Sequence, residues 1–233
     1  AHPPPHRMNV MRTAFHLAGL AVLTAAVAVP TQAQQRDWTR TAAATPDGGY
    51  LIGNPAAATK IVEYASYTCP HCAHFAAESK AGLQPLLRSG STSIEYRQLV
   101  RDPLDLAAVI VARCGGASRF ARISDAIFAG QGTWLGRGAD FARTNRETLS
   151  KAEPGAQLRG LAEGAGLLAI GRAQGLTDAD LGRCFADKAA IDRALLSTRA
   201  VPPEVKGTPA FFVNGRYTGA HDWAGLRPHL AAR

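Results

Sequence analysis

No stretch of this 233-residue chain carries three consecutive basic residues, and no aromatic-rich basic strand of the RNA-binding type occurs in it. The formal charge of +8 therefore reads as a solvated positive surface, and no nucleic-acid partner is expected. Aromatic residues are sparse at 7%, while Ala and Gly abound, which favours close-packed helices over a β-rich sandwich. Ser–His–Asp and paired-carboxylate arrangements are missing, so hydrolase chemistry finds no support. The glycine-rich run from Gly130 to Gly138 lacks the lysine and the strand–helix context of a phosphate loop. Cysteine is scarce: the four fall as one tight pair, Cys69 and Cys72, and two distant singles, Cys114 and Cys184. With no second pair at ligand spacing a zinc site is disfavoured, although His71 and His74 could add ligands. Ala73 stands where haem attachment requires histidine. Neither metal nor cofactor is expected.

Long hydrophobic runs are also lacking, with one exception near the start. Phe15 to Val29 is apolar apart from His16 and Thr24, follows Arg7 and Arg12, and precedes the small-residue stretch Thr31-Gln32-Ala33. That is the layout of a secretory signal peptide, and the run is short of the ~20 residues a membrane span needs. Residues 1–33 are thus read as upstream residues plus signal peptide, with a retained anchor as the alternative, and the protein as exported. In an oxidising compartment thiols pair, so four cysteines imply two disulfides, or one disulfide plus one redox pair.

Residues 34–48 show no periodicity and read as a flexible arm. Gly49 to Gly53 suits a short edge strand, and Lys60 to Tyr67 (KIVEYASY) a buried one that runs straight into the cysteine pair. Pro70 fits the first turn of a helix, where its missing N–H costs nothing, and Cys72, Phe75, Ala76, Leu83, Leu86 and Leu87 follow at helical spacing, with Pro85 implying a kink. Ser91 to Val100 alternates as a second central strand. From Asp102 to about Arg199 the pattern is helical: Leu104–Cys114, Ser118–Ala129, Leu158–Gln174, Asp178–Phe185 and Lys188–Thr198 are the expected helices, and Trp134–Asn145 is broken by glycines. Pro209 to Val213, Asn214-Gly215 and Arg216 to Thr218 form a β-hairpin pattern, and Asp222 caps a final helix through Leu230. The order strand, CxxC helix, strand, helical block, hairpin, helix is that of an α/β, thioredoxin-like fold. Its core, 49–101 and 202–233, is interrupted between the second core strand and the hairpin by a large all-helical insertion, 102–201.

A Cys-x-x-Cys at a strand–helix junction has a bland reading, a structural disulfide closing a very small ring, which would stabilise little. The redox reading accounts for the position as well. Unpaired N–H groups and the macrodipole at a helix start favour the thiolate, most of all at Cys69, the expected nucleophile. Cys72, one turn on, is placed to resolve a mixed disulfide. His71 adds positive charge or N–H donors beside the same sulfur. A more stable thiolate makes the disulfide more oxidising.

The run Ile61-Val62-Glu63-Tyr64-Ala65-Ser66-Tyr67-Thr68-Cys69-Pro70-His71-Cys72 resembles the active-site segment of DsbA-like periplasmic disulfide oxidoreductases, and so does Gly207-Thr208-Pro209-Ala210-Phe211-Phe212-Val213-Asn214-Gly215-Arg216. The resemblance in order of elements covers nearly the whole chain after residue 33. It implies that Pro209 is a cis-proline facing the cysteines, that Thr208 pairs with an extended substrate strand, and that Glu63 is a buried acid moving protons to and from Cys72. It implies an oxidase acting in the periplasm as a monomer on unfolded or newly exported cysteine-containing proteins and reoxidised by a membrane redox partner. Two features depart from the family pattern. Thr208, where strong oxidases carry an apolar residue, is more like the isomerase relatives, so reductase or isomerase activity is an alternative; the short arm before the first strand leaves no room for those relatives' N-terminal dimerisation domain. Cys114 and Cys184 form the second departure, expected to pair in a structural disulfide or else to stand as buried reduced thiols. A non-catalytic, chaperone-like domain is a further alternative. Trp134 and Trp223 read as core anchors, and His221 and His229 as surface residues.

Overall fold

The computed structural model describes residues 1–4 and 36–230. The expected signal segment lies outside the described residues, apart from the irregular first four.

Strands β1 (Ala42–Ala44), β2 (Tyr50–Gly53), β3 (Thr59–Ala65), β4 (Thr92–Gln98), β5 (Ala210–Val213) and β6 (Arg216–Tyr217) form one sheet in the order β1-β2-β4-β3-β5-β6. β3 and β4 are parallel, joined across helix α1 (Pro70–Ser89), and every other neighbouring pair is antiparallel. β3 thus lies between two partners, which suits its β-branched and aromatic residues, and its C-terminal end delivers the chain to the cysteines. The hairpin β5–β6 turns at Asn214 (φ 50°) and Gly215 (φ 78°), the pair of positive φ angles that a two-residue turn requires.

Between β4 and β5 the chain forms α2 (Pro103–Arg113), α3 (Ala117–Ala129), α4 (Gln131–Thr144), α5 (Arg146–Lys151), α6 (Pro154–Ala165), α7 (Leu167–Ala173), α8 (Asp178–Ala186), α9 (Lys188–Ala194) and α10 (Leu196–Arg199). α11 (Trp223–Leu226) follows β6. Sheet and insertion share a core. Tyr50 of β2 stacks on Phe120 of α3 with ring centroids 4.4 Å apart, and Phe75 of α1 meets Phe211 of β5 at 4.5 Å. Each such buried aromatic contributes up to about 3 kcal/mol of hydrophobic stabilisation. α1 approaches α11 closely at Gly82, where a Cβ would collide with the Trp223 ring.

Several expectations are corrected. The arm is not loose throughout: Trp38–Arg40 forms a 3-10 turn capped by Asp37, and Ala42–Ala44 pairs with β2, which is therefore an interior strand and not an edge. Three alanines carry no alternation to read; backbone bonds to β2 hold them, with Ala42 packed against the core. Gly166, with φ 84°, divides the expected helix 158–174 into α6 and α7, and Leu195 separates α9 from α10. The glycine-broken stretch 134–145 belongs to the continuous helix α4 as far as Thr144, with Asn145 as its C-cap, and α5 has no counterpart in the sequence reading. The last helix is only four residues long and passes into a 3-10 turn, Arg227–Leu230, because Pro228 cannot donate the next helical bond. Pro85 sits inside α1 without ending it.

Candidate active site

Cys69 is the N-cap of α1 and Pro70 its first residue, so the 20-residue helix begins at the Cys69 carbonyl, which accepts from the N–H groups of Cys72 and Ala73. Cys69 and Cys72 are free thiols, both buried, while Pro70 and His71 are exposed. The Thr208–Pro209 bond is cis, and the carbonyl of Thr208 lies 3.2 Å from Cys69 Sγ, from which it accepts only while Cys69 is protonated. The structure thereby brings together Cys69, Pro70, His71, Cys72, Thr208 and Pro209, with Glu63 behind them on β3.

The two thiols differ sharply. The Cys72 thiol, as donor to Cys69, is the largest influence drawing Cys69 down to about 5; burial opposes it, and the Thr208 side chain and the N–H groups of Cys72 and His71 reinforce it. The same interaction, together with burial and the nearby Glu63 carboxyl, pushes Cys72 well above the ordinary thiol range. At neutral pH the pair is one thiolate at the helix start and one thiol a turn inside.

Glu63 is 2% exposed and its Oε2 has no hydrogen-bond partner. Burial, with the Asp125 carboxylate adding to it, raises its pKa to about 8. A small cavity beside it is lined by Ser79, Lys80, Tyr96, Ser124 and Asp125, among others. On the outer side, a cleft of about 550 Å³ next to Cys69 is bounded by His71, His74, Glu78, Thr208, Pro209 and His221. His221, expected as a plain surface residue, is exposed but also places its Nδ1 3.0 Å from the Pro209 carbonyl.

Cys114 and Cys184 lie far along the chain from these residues and are joined in a disulfide, with S–S 2.11 Å, that ties the end of α2 to α8. Trp134 is fully buried with its indole N–H on the Ile127 carbonyl; Trp223 is half-buried over Gly82, and His229 is exposed. Among the described residues no group of three His, Cys, Asp or Glu side chains could hold a metal ion.

Sequence reasoning missed the residues that grip the turn into α1. Asp105, fully buried in α2, accepts from Ser66 Oγ at 2.6 Å, from Tyr67 N at 2.9 Å and from Arg101 N at 3.0 Å; burial raises it to about 6 against those bonds. Gln131, at the start of α4 and 6% exposed, donates from Nε2 to the carbonyls of Tyr67 at 2.6 Å and Cys69 at 2.9 Å. The Tyr67 hydroxyl donates to Ser124 of α3. A lone acid in the apolar helix 104–114 was the one available signal, and it named no partner.

A family model described as thioredoxin matches residues 45–231. The chain is 34% identical to a protein-disulfide isomerase from Novosphingobium aromaticivorans, whose crystal structure superposes with a TM-score of 0.72 over 80% of this chain and 99% of that one. Alpha-DsbA1 of Wolbachia pipientis, at 18% identity, shares the fold with a TM-score of 0.61, over 78% of this chain and 88% of its own. A Rickettsia bellii protein named for protein-disulfide oxidoreductase activity is 28% identical over 205 residues, 85% of this chain and 70% of the relative. A second, from Rickettsia conorii, is 27% identical over 177 residues, 74% of this chain; the match spans only 56% of that relative's length. The chain belongs to the thioredoxin family, among the thiol:disulfide oxidoreductases of DsbA-like architecture.

Proposed function

We propose that the protein is an oxidase that donates its Cys69–Cys72 disulfide to exported proteins. The observation that carries this reading is the Cys69 thiol, held near 5 at the start of α1. A thiol so acidic is a good leaving group, and stabilising it favours the dithiol form, which makes the disulfide a stronger oxidant.

In the forward reaction a substrate thiolate attacks Sγ of Cys69. The Cys69–Cys72 bond breaks, its electron pair goes to Cys72, and a mixed disulfide forms. Cys72, buried and far above the usual thiol range, requires a proton. Glu63, neutral up to about pH 8, supplies it. A second substrate thiolate then attacks the substrate sulfur of the mixed disulfide, and Cys69 departs as a stabilised thiolate. The substrate dithiol is oxidised by two electrons and the enzyme disulfide reduced by two. Thr208 and Pro209, opposite Cys69, offer the backbone edge on which an extended substrate strand is held.

The setting we propose is the periplasm, with reoxidation by a membrane redox partner and a monomeric enzyme acting on unfolded or newly exported cysteine-containing proteins. The Cys114–Cys184 disulfide fits an oxidising compartment. A second reading, isomerase or reductase, is favoured by the Thr208 hydroxyl beside the nucleophile and by the name of the Novosphingobium relative.

The test is oxidative folding of a reduced, unfolded multi-cysteine protein by the preoxidised enzyme, with Cys72→Ser as companion. An oxidase forms disulfides in the substrate stoichiometrically, and Cys72→Ser, offered a substrate that already carries a disulfide, accumulates a mixed disulfide through Cys69 with release of a substrate thiol. An enzyme that accelerates only the rearrangement of scrambled disulfides belongs to the second reading.

A further inference from the structure

The turn that carries the nucleophile is held from outside the thioredoxin-like core. Four side chains of the helical insertion or its leading turn bond to residues 66–69. Asp105 takes Ser66 Oγ and the Tyr67 N–H, Ser124 takes the Tyr67 hydroxyl, Asp102 takes Thr68 Oγ1, and Gln131 gives both of its contacts to carbonyls of Tyr67 and Cys69. Of these, only Gln131 touches the backbone of Cys69 itself. That carbonyl is also the acceptor of the first turn of α1, from Cys72 N and Ala73 N.

We propose that Gln131 is a positioning residue for thiol–disulfide exchange: its amide pins the Tyr67 and Cys69 carbonyls and so keeps the N–H donors of α1 trained on Cys69 Sγ. A carbonyl oxygen carries partial negative charge, and two of them lie within two residues of the sulfur that must become an anion. The Gln131 amide engages both, and because it is buried, water does not replace it freely. The same bonds fix the carbonyl that receives the first-turn N–H groups of Cys72 and Ala73, and with it the backbone of the helix start beside the sulfur. Without them the carbonyls are freed to turn, the donors lose their aim, and the thiolate loses stabilisation. The helical insertion therefore acts on the chemistry of the pair as well as on its surroundings.

The inference rests on Cys69 being the exchanging thiol, and its test separates the two claims. Gln131→Ala, the isosteric Gln131→Glu and Ser124→Ala are made in the full chain. Two quantities are measured in each: the pH midpoint of Cys69 thiolate absorbance in the reduced protein, and the equilibrium constant with glutathione. Gln131→Ala is expected to move the midpoint up by about one pH unit and to make the disulfide about tenfold less oxidising, equivalent to about 30 mV. Gln131→Glu, which removes both N–H donors at equal volume and adds negative charge, moves both further. Ser124→Ala loses a link to the same turn that touches no carbonyl, and leaves both quantities in place while lowering the melting temperature. If Gln131→Ala does not fold, Gln131→Glu carries the test. Unshifted values in the folded Gln131 variants, or a Ser124→Ala shift as large as theirs, overturn the proposal and leave only a packing role. A wild-type protein that does not exchange with glutathione overturns the exchange reading and this one with it.

Discussion

The Sγ of Cys69 lies 3.2 Å from the carbonyl oxygen of Thr208, a contact between residues 139 positions apart. It joins the helix start to the cis-proline hairpin, so that Cys69, the proposed nucleophile, and the proposed substrate edge lie side by side. Thr208 acts on the sulfur through its side chain too, as one of the groups that hold the thiol down.

Replacing Thr208 by Val removes the hydroxyl and keeps the shape. A hydrogen bond to a charged group is worth about 1.5 kcal/mol, or about one pH unit of acidity. Thr208→Val is therefore expected to raise the Cys69 midpoint by up to about one pH unit, read from thiolate absorbance. An unchanged midpoint would show that the hydroxyl does not reach the sulfur.

The acidity of Cys69 also makes stability depend on redox state and pH. Its folded value, about 5, lies below the ordinary thiol value of 9.0. A depressed acid contributes stability that is complete above its unfolded pKa and is lost as pH falls through the folded one. The reduced protein is thus expected to gain stability, relative to the oxidised form, as pH rises from about 5 to about 9. Melting temperatures of both forms across that range measure it, and a difference that is flat with pH contradicts it.

Glu63 has the opposite sign. Its folded pKa of about 8 lies above the ordinary 4.5, so the folded state keeps a proton that the unfolded state gives up, and stability falls between those two pH values. Glu63→Gln is expected to stabilise by about 1–3 kcal/mol at pH 8 and by little at pH 4, in denaturant titrations at the two pH values. It should also slow the exchange steps in which Cys72 gains or loses its proton. Stabilisation that is equal at both pH values would remove titration as the cause.

The disulfide in the insertion closes a 70-residue separation. In the chain-entropy treatment its loss costs about 4 kcal/mol. The double substitution Cys114→Ser and Cys184→Ser should show that loss in urea unfolding, with the equilibrium of Cys69–Cys72 against glutathione unchanged. A shifted equilibrium would mean that the second disulfide acts on the first pair.

What was legible in the sequence was local. Pro70 after Cys69 marks a helix start, and Asn214-Gly215 marks a turn, because each imposes its backbone geometry within a few residues. The order of these signals was enough for the architecture, including the helical block between β4 and β5. Strand β1 was silent because Ala42–Ala44 has no alternation, and the division of α6 from α7 depended on a single glycine that helices often tolerate. The grip on the active-site turn was silent for a different reason. Asp105 bonds a backbone 38 residues away, and Gln131 bonds carbonyls 64 and 62 residues away; neither residue type at its own position predicts such a partner. His221 likewise read as surface, since its contact with Pro209 arises only when the hairpin folds back.

The central claim, that Cys69–Cys72 is an oxidising pair, is tested most directly by its reduction potential in residues 34–233, with Cys114 and Cys184 replaced so that one pair alone reports. Equilibrated with glutathione at neutral pH, the pair is expected to lie well above the thioredoxin value of about −270 mV, toward the value of about −120 mV of a strong oxidase. A potential at or below that of thioredoxin would contradict the oxidase account and assign the protein to the reducing side of the family.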